Sequence, residues 1–335
     1  MKEIKCPVCE ASSKIRYTYD REKCLEGYRH LYENVPEDLD IKDYQLYQCT
    51  KCQLVFADPM VGGSQSFYTW VTGHENYYPT KNNPRWEWTK IREYLWGSNK
   101  EMSVLEIGCG KGDFLEYVTE NHPNIKGVGI DTTKTSYEVC RQKGLEVYNV
   151  LLEEYAKEHK EKFDLVVAFH CVEHVEYPLQ FVKKMIECMK PEGKCIVSFP
   201  YSELRLENCF SSSNNFPPHH MTRWNIGACR MLAAKVGCDL EVVCPSTPKF
   251  AKELKDELKN IYYPLWTHKN ISDIQLVCCC IRHFWKTIKV AWVKITRDKV
   301  AASYEIGQKS AVKRRMPWFV MLVLEKHERE KRYDT

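Results

Sequence analysis

The sequence predicts an α/β fold built on a doubly wound, mostly parallel sheet. Three observations lead there. Short apolar runs alternate with amphipathic stretches through residues 100–200, a glycine-rich turn joins the first run to the first helix, and a final apolar run, Trp318–Leu324, returns after a long helix-like insertion. Taken in order, Ser103–Ile107 reads as a strand, Gly108–Gly112 as the turn and Asp113–Glu120 as a helix. Gly127–Ile130 ends in Asp131 and leads to a helix over Thr135–Lys143 and a strand over Leu145–Tyr148. Phe163–Phe169 is apolar and β-branched, Tyr177–Met189 amphipathic, and Gly193–Phe199 a further strand. Asn225 is placed to cap a helix running to Val236, Asp239–Cys244 is a sixth strand, and the last strand is expected to lie antiparallel. The expected organisation is a small N-terminal region at 1–60, a helical linker or lid at 61–100, and a main domain at 101–335 that carries a helical insertion at 248–312.

A chain of 335 residues can bury an adequate core without crosslinks. Its 17 cysteines are odd in number and scattered through segments that read as strands and helices, which argues for a reducing cytoplasm over a secreted disulfide framework. Met1–Glu10 carries charges and a Cys-Pro-Val-Cys turn in place of a basic stub and apolar run, so no signal peptide is expected. Lysine and arginine exceed aspartate and glutamate by only 49 to 45, too small a margin to announce a nucleic-acid-binding protein. The surplus is local: residues 281–315 hold ten Lys/Arg against two acids.

Glycines between a strand and a helix let the backbone turn tightly and let a ligand approach the helix N-terminus. A dinucleotide fingerprint would require glycine at position 113, where the residue is Asp113, and no Gly-Lys-Ser/Thr phosphate loop is present. The spacing found is Glu106-x-Gly108-x-Gly110-x-Gly112. This resembles the first motif of class I S-adenosylmethionine-dependent methyltransferases. The resemblance continues through Gly127-Val-Gly-Ile-Asp131, Phe163–His174 and Met189-Lys-Pro-Glu-Gly-Lys194, in the order that family has them. It implies a Rossmann-like domain whose glycine loop (Gly108, Cys109, Gly110, Gly112) meets the methionine part of S-adenosylmethionine. Asp131, with Thr132 beside it, would take the ribose hydroxyls, Glu106 the loop or the ammonium, Leu152 the adenine surroundings, and His170 the cofactor from the end of the fourth strand.

Cys6-Pro-Val-Cys9 and Cys49-Thr-Lys-Cys52 each put two sulfurs on one turn, and together they form a closed four-thiolate set suited to a structural zinc ion. Disulfide pairing of the same residues is the competing reading, disfavoured in a reducing compartment. The text Tyr47–Pro59 resembles a subgroup of methyltransferases with an N-terminal zinc ribbon, among them sugar and natural-product enzymes. That subgroup usually has glycine where Gln53 stands.

On the acceptor side, Asn214–Asn225 follows the fifth strand and brings together two prolines, His219, His220, Arg223 and Trp224. The histidines offer a base, Arg223 an anion fork and Trp224 a stacking face. His220 and His219 are candidate general bases, set against a helix-entry histidine that only bonds backbone; Glu173 and His174 either face the methyl group or cap the next helix. The expected activity is methyl transfer to an oxygen or carbon of a small molecule, such as a sugar, nucleotide sugar or glycan. The alternatives are an RNA methyltransferase, for which no signature is present, and a non-enzymatic zinc-dependent interaction module. The basic segment 281–315 is open to three readings: contact with anionic lipid, a lid over a phosphorylated substrate, or a cap helix on the sheet edge.

Overall fold

A computed structural model describes residues 3–32, 34–73, 84–95, 100–202, 217–244, 273–282 and 319–327, with the single positions 255, 258, 284, 285, 287 and 288. The described strands form two sheets. The larger is seven-stranded and begins at β4 (Met102–Ile107), which pairs in parallel with β5 (Ile125–Ile130) on one side and β7 (Phe163–Phe169) on the other. Outward from these lie β6 (Glu146–Tyr148) beside β5 and β8 (Met189–Pro200) beside β7. The two remaining strands, β11 (Phe319–Lys326) and β10 (Cys238–Val243), continue past β8 and are both antiparallel to their neighbours. From β4 the chain winds first toward β6 and then returns to β7, so a topological switch point, and hence a crevice, opens between the carboxyl ends of β4 and β7.

The helices follow the apolar periodicity. α4 (Asp113–Asn121) buries Phe114, Leu115, Tyr117 and Val118 on one sheet face, and α7 (Pro178–Cys188) buries Phe181, Val182, Met185 and Cys188 on the other. α5 (Lys134–Gln142) and α6 (Leu152–Glu158) complete the crossovers. α8 (Ile226–Val236) starts at Asn225, whose side chain accepts the Ala228 N–H at 2.9 Å, and ends at Gly237 in the left-handed region, φ +69°. The turn read at Met189–Lys194 is present as an irregularity inside β8. There Phe163 opposes Met189 while Leu165, two residues on, already opposes Lys194.

The smaller sheet is antiparallel and joins β1 (Ser13–Tyr19), β2 (Tyr44–Cys49), β3 (Val55–Asp58) and β9 (Thr222–Arg223). β9 comes from the loop after β8, so the N-terminal region and the main domain share a sheet: Val55 pairs with Arg223 and Phe56 with Thr222. The shared packing continues in the core, where Cys6, Val8, Leu54 and Phe56 belong to the same buried cluster as Trp224, Ile226 and Leu232. α1 (Arg21–Leu31), inserted between the two cysteine pairs, and α2 (Gln65–Thr72) pack on the other side around Leu25, Tyr28, Leu46 and Phe67. α3 (Trp86–Leu95) covers the face of α4 with Trp88, Ile91 and Leu95.

Most of the expected insertion at 248–312 and of the basic segment 281–315, together with Trp318, lies outside the described residues. Within it, a helix spans Asp273–Arg282. No helix among the described residues is long and apolar enough to cross a membrane.

Candidate functional site

A cavity of about 1370 Å³ occupies the switch-point crevice. Its floor is the β4–α4 turn. Gly108, Gly110 and Gly112 all have positive φ, which only glycine adopts without strain. A Cβ on Gly108 would stand 2.4 Å from Cys171 Sγ, and one on Gly112 2.4 Å from Leu145 Cδ1, so space as well as backbone conformation requires glycine at both. The loop is tied to the end of β5. Gly108 and Cys109 donate N–H to the Ile130 carbonyl, and Gly110 N–H donates to Asp131 Oδ2 at 2.9 Å. Asp131 Oδ1 accepts the Thr133 N–H at 2.7 Å. Each carboxylate oxygen retains a lone pair for a ligand donor.

Beneath the loop, Glu106 is 5% exposed and its Oε2 has no hydrogen-bond partner. Burial, reinforced by Cys140, Asp131 and Asp113, pushes its pKa well above the usual carboxylate range. An unpartnered buried acid on the wall of a cavity is poised for a cationic ligand group.

The other end of the cavity is lined by imidazoles. β7 ends at Phe169, and His170 follows with φ +52°. Its Nε2 lies 3.0 Å from Glu87 Oε1 and its Nδ1 3.3 Å from Glu173 Oε1, both acids being 1% exposed. Burial lowers the affinity of His170 for a proton, but the flanking carboxylates outweigh it and its pKa is raised. His174 differs. Its Nδ1 faces the His219 carbonyl, which can only accept, so the ring carries its proton there and presents a bare Nε2. Burial lowers its pKa. His219 and His220 follow the Pro217–Pro218 turn and complete a triangle with His174, ring centroids being 4.6–4.8 Å apart. Burial, with His219 and His174 nearby, holds His220 neutral, its pKa far below the ordinary value.

The four cysteines of the N-terminal region converge. Cys6 and Cys52 sulfurs are 3.6 Å apart, Cys9 and Cys49 3.4 Å, and Cys9 and Cys52 3.7 Å. An ion with metal–sulfur bonds of about 2.3 Å in tetrahedral geometry would set sulfurs about 3.8 Å apart. Backbone N–H groups of Lys51 and Cys52 point at Cys49 Sγ, the arrangement that supports a thiolate. The residue after each pair, Glu10 and Gln53, has positive φ, which is the conformation glycine would supply at Gln53. Cys24 stands apart on α1, buried, its pKa pushed up to about 12 by burial.

Of the residues expected at the cofactor, Glu106, Gly108, Cys109, Gly110, Asp131, Thr132, Leu152 and His170 line the cavity, and so do Glu173, His174, His219 and His220. Gly112 does not. It is the N-cap of α4, and its missing side chain makes room for Leu145 and Cys140. The expectation that Arg223 and Trp224 meet substrate is corrected. Trp224 is fully buried in the core, donating its indole N–H to Thr222 Oγ1, and Arg223 is 5% exposed in a strand pairing with Val55. The segment is sheet and core and not a surface loop: Arg223 pairs with Val55, and Trp224 packs in the buried cluster with Phe56, Phe199 and Ile226. Wall residues from outside the main domain were not foreseen, among them Tyr68 of α2, Arg85 just before α3, and Trp86 and Glu87 at its start. An acid between two tryptophans, Trp86-Glu-Trp88, is a local oddity but does not by itself mark a site residue.

The sequence profile of the methyltransferase domain family matches residues 82–256, more than half of the chain. The chain belongs to the class I S-adenosylmethionine-dependent methyltransferases. Among curated relatives, the ubiquinone biosynthesis O-methyltransferase of Aliivibrio fischeri (strain MJ11) is 31% identical over 101 residues, covering 28% of this chain and 42% of that protein. The enzyme of the same name from Bordetella avium is 34% identical over 118 residues, 33% of this chain and 47% of that protein. The chain thus spans less than half the length of these relatives. A solved S-adenosylmethionine-dependent methyltransferase from Archaeoglobus fulgidus aligns over 77% of this chain and 99% of its own at 16% identity, with a TM-score of 0.49.

Proposed function

We propose that this methyltransferase transfers a methyl group from S-adenosylmethionine to a hydroxyl oxygen of a small molecule, with a sugar, nucleotide sugar or glycan as the acceptor class. The observation that carries the reading is one continuous cavity with a cofactor end and an acceptor end, Asp131 and the unpartnered Glu106 at the first and the His174, His219 and His220 imidazoles at the second. When bound, the cofactor supplies an electrophilic methyl group on a sulfonium sulfur.

The chain's own residues do the rest. Glu106 meets the ammonium group, which gives its buried oxygen the partner it lacks. Asp131 accepts from the vicinal ribose hydroxyls while its bonds to Gly110 and Thr133 fix both the loop and the carboxylate. The acceptor hydroxyl lies against the His174–His219–His220 triangle, where the bare Nε2 of His174 takes the proton as the new carbon–oxygen bond forms. His170, held by Glu87 and Glu173, keeps the end of β7 in its left-handed turn. Cys6, Cys9, Cys49 and Cys52 would hold a Zn2+ ion, which with four thiolate ligands would serve a structural role.

Two sets of relatives bear on the acceptor. The curated relatives are named for O-methylation, and the resemblance of the cysteine-rich text is to sugar and natural-product enzymes. Calorimetry with S-adenosylhomocysteine, followed by transfer of a radiolabelled methyl group to an array of hydroxylated small molecules, sugars and glycans, tests the proposal. No binding of S-adenosylhomocysteine, or label appearing only in RNA, would overturn it.

A further inference from the structure

The imidazoles of His174, His219 and His220 form a group that the transfer reaction does not require in full, because one base is enough. We infer that these three side chains form a binding site for a divalent transition-metal ion at the acceptor end of the cavity, with an open coordination position facing the cofactor. The inference rests on the methyl-transfer reading only for what the open position would hold; the ion site stands on geometry.

Each histidine offers one ring nitrogen, and the three nitrogens lie within 4.8 Å of one another. Bonds of about 2.0–2.1 Å to imidazole would bring such atoms to about 3.4 Å, an inward movement that ring rotation supplies. Two further features point to an ion. First, His174 already has the outer partner of a metal-bound histidine: its Nδ1–H donates to a backbone carbonyl, which fixes the ring and aims Nε2 inward. Second, buried polar groups beside the triangle lack a well-formed hydrogen bond, although Glu173 Oε1 lies 3.3 Å from His170 Nδ1. Glu173, 1% exposed, has neither oxygen in a hydrogen bond of good geometry, and Oε1 is 4.0 Å from His174 Nε2. The Tyr68 hydroxyl is likewise buried without a partner, on a ring packed edge-on against His174.

The donor set selects the ion. Three imidazoles suit zinc, cobalt, nickel or copper and give magnesium or calcium no oxygen cage. Three protein ligands leave a fourth position of a tetrahedral site vacant, the pattern of an ion that binds a reactant. With the ion bound, His174 Nε2 is a ligand and water replaces it as the proton acceptor of the ion-free site: an acceptor hydroxyl at the open position would ionise more easily, its O–H bond breaking and the proton leaving to water, and the oxygen's electron pair would form the bond to the methyl carbon as the sulfonium–carbon bond breaks. No oxidant or reductant is needed.

The test uses the full chain with its four-thiolate site saturated with zinc. Cobalt(II) is then added and followed by equilibrium dialysis and visible spectroscopy. One further equivalent is expected, showing d–d bands without the thiolate charge-transfer absorption, and it should be lost in His174→Ala and in His220→Ala. As a measure independent of variants, copper(II) bound to the unaltered protein should show imidazole-nitrogen hyperfine coupling in its paramagnetic resonance spectrum. No second equivalent in the unaltered protein, or a second equivalent with no nitrogen coupling, overturns the site. Loss of S-adenosylhomocysteine binding in the unaltered protein would instead strike the methyl-transfer reading, leaving the ion site to stand or fall on the cobalt result.

Discussion

Replacing Asp131 by asparagine should be far from silent, although the two side chains share a shape. Both carboxylate oxygens already accept a backbone N–H, Oδ2 from Gly110 at 2.9 Å and Oδ1 from Thr133 at 2.7 Å. An amide has one oxygen and one NH2, so whichever way it is turned, a donor faces a donor. One backbone N–H then loses its partner, at a cost of about 1–3 kcal/mol, and the surviving bond falls from charge-assisted to neutral. In a domain of this size about 2 kcal/mol lowers Tm by several degrees. Binding suffers separately. The ribose hydroxyls lose a charged acceptor, and a single amide oxygen cannot serve both; one such bond to a charged group contributes about 1.5–3 kcal/mol. A loss of about 2 kcal/mol is roughly a thirtyfold weaker Kd. Calorimetry with S-adenosylhomocysteine and thermal unfolding of Asp131→Asn read the two effects. A Kd within threefold of the unaltered protein, with unchanged Tm, would refute the assignment of Asp131 as the shared anchor of loop and ribose.

Gly112→Ala should destabilise the fold more than Gly144→Ala, because both have positive φ but only the first meets side chains, Leu145 Cδ1 at 2.4 Å and Cys140 Sγ at 3.0 Å; denaturant midpoints of the two variants compare them directly. Burial raises the pKa of Glu106, so docking an ammonium group beside it should favour loss of its proton; repeating the calorimetry in buffers of different ionisation enthalpy across a series of pH values should show proton release on binding, and Glu106→Gln should abolish it. His170 has a raised pKa, so its ion pairs with Glu87 and Glu173 stabilise fully below its ordinary value of 6.5 and are lost as pH rises through the folded value. Glu87, lowered by His170 against the opposing effect of burial, sets the acid side of the same window, and Glu87→Gln should flatten the alkaline fall in Tm. Cys49→Ser or chelation should remove one equivalent of zinc and expose the amides of Met221 and Thr222 to hydrogen exchange, since Met221 and Thr222 lie against the strand that the thiolate turn holds.

The parallel strands and the glycine turn were legible because their signals are local. A β-branched run such as Phe163–Phe169 and a turn such as Gly108–Gly112 announce themselves within a few residues, and Asn225 marks a helix start by its own side chain. β9 gave no such signal. Two residues are too short to show alternation, and their partners Val55 and Phe56 lie more than 160 positions earlier, so only tertiary packing selects the pairing. That blind spot also misassigned Arg223 and Trp224, whose residue types suit a binding loop but whose positions are interior. Glu87 was hidden for a different reason: its role depends on α3 lying over the mouth of the sheet, a placement that helical periodicity alone does not give.

The shared strand changes what the N-terminal region is for. Were it an independent module, the loss of its ion would leave the cavity untouched. Its contacts run otherwise. Ala57 N–H donates to the Met221 carbonyl, Asn225 Nδ2 donates to the Gln53 carbonyl at 2.7 Å, and a Cβ on Gly227 would stand 3.0 Å from the Cys52 carbonyl oxygen. Met221 and Thr222 in turn donate to the Glu173 carbonyl, so the segment that carries His219 and His220 is fastened on one side to the thiolate turn and on the other to the end of the fourth parallel strand. The imidazole wall is therefore held by two elements that meet nowhere else in sequence. With an ion bound by Cys6, Cys9, Cys49 and Cys52, the proposed four-thiolate site would be a rigid support for such a wall, because metal–sulfur bonds would set its geometry.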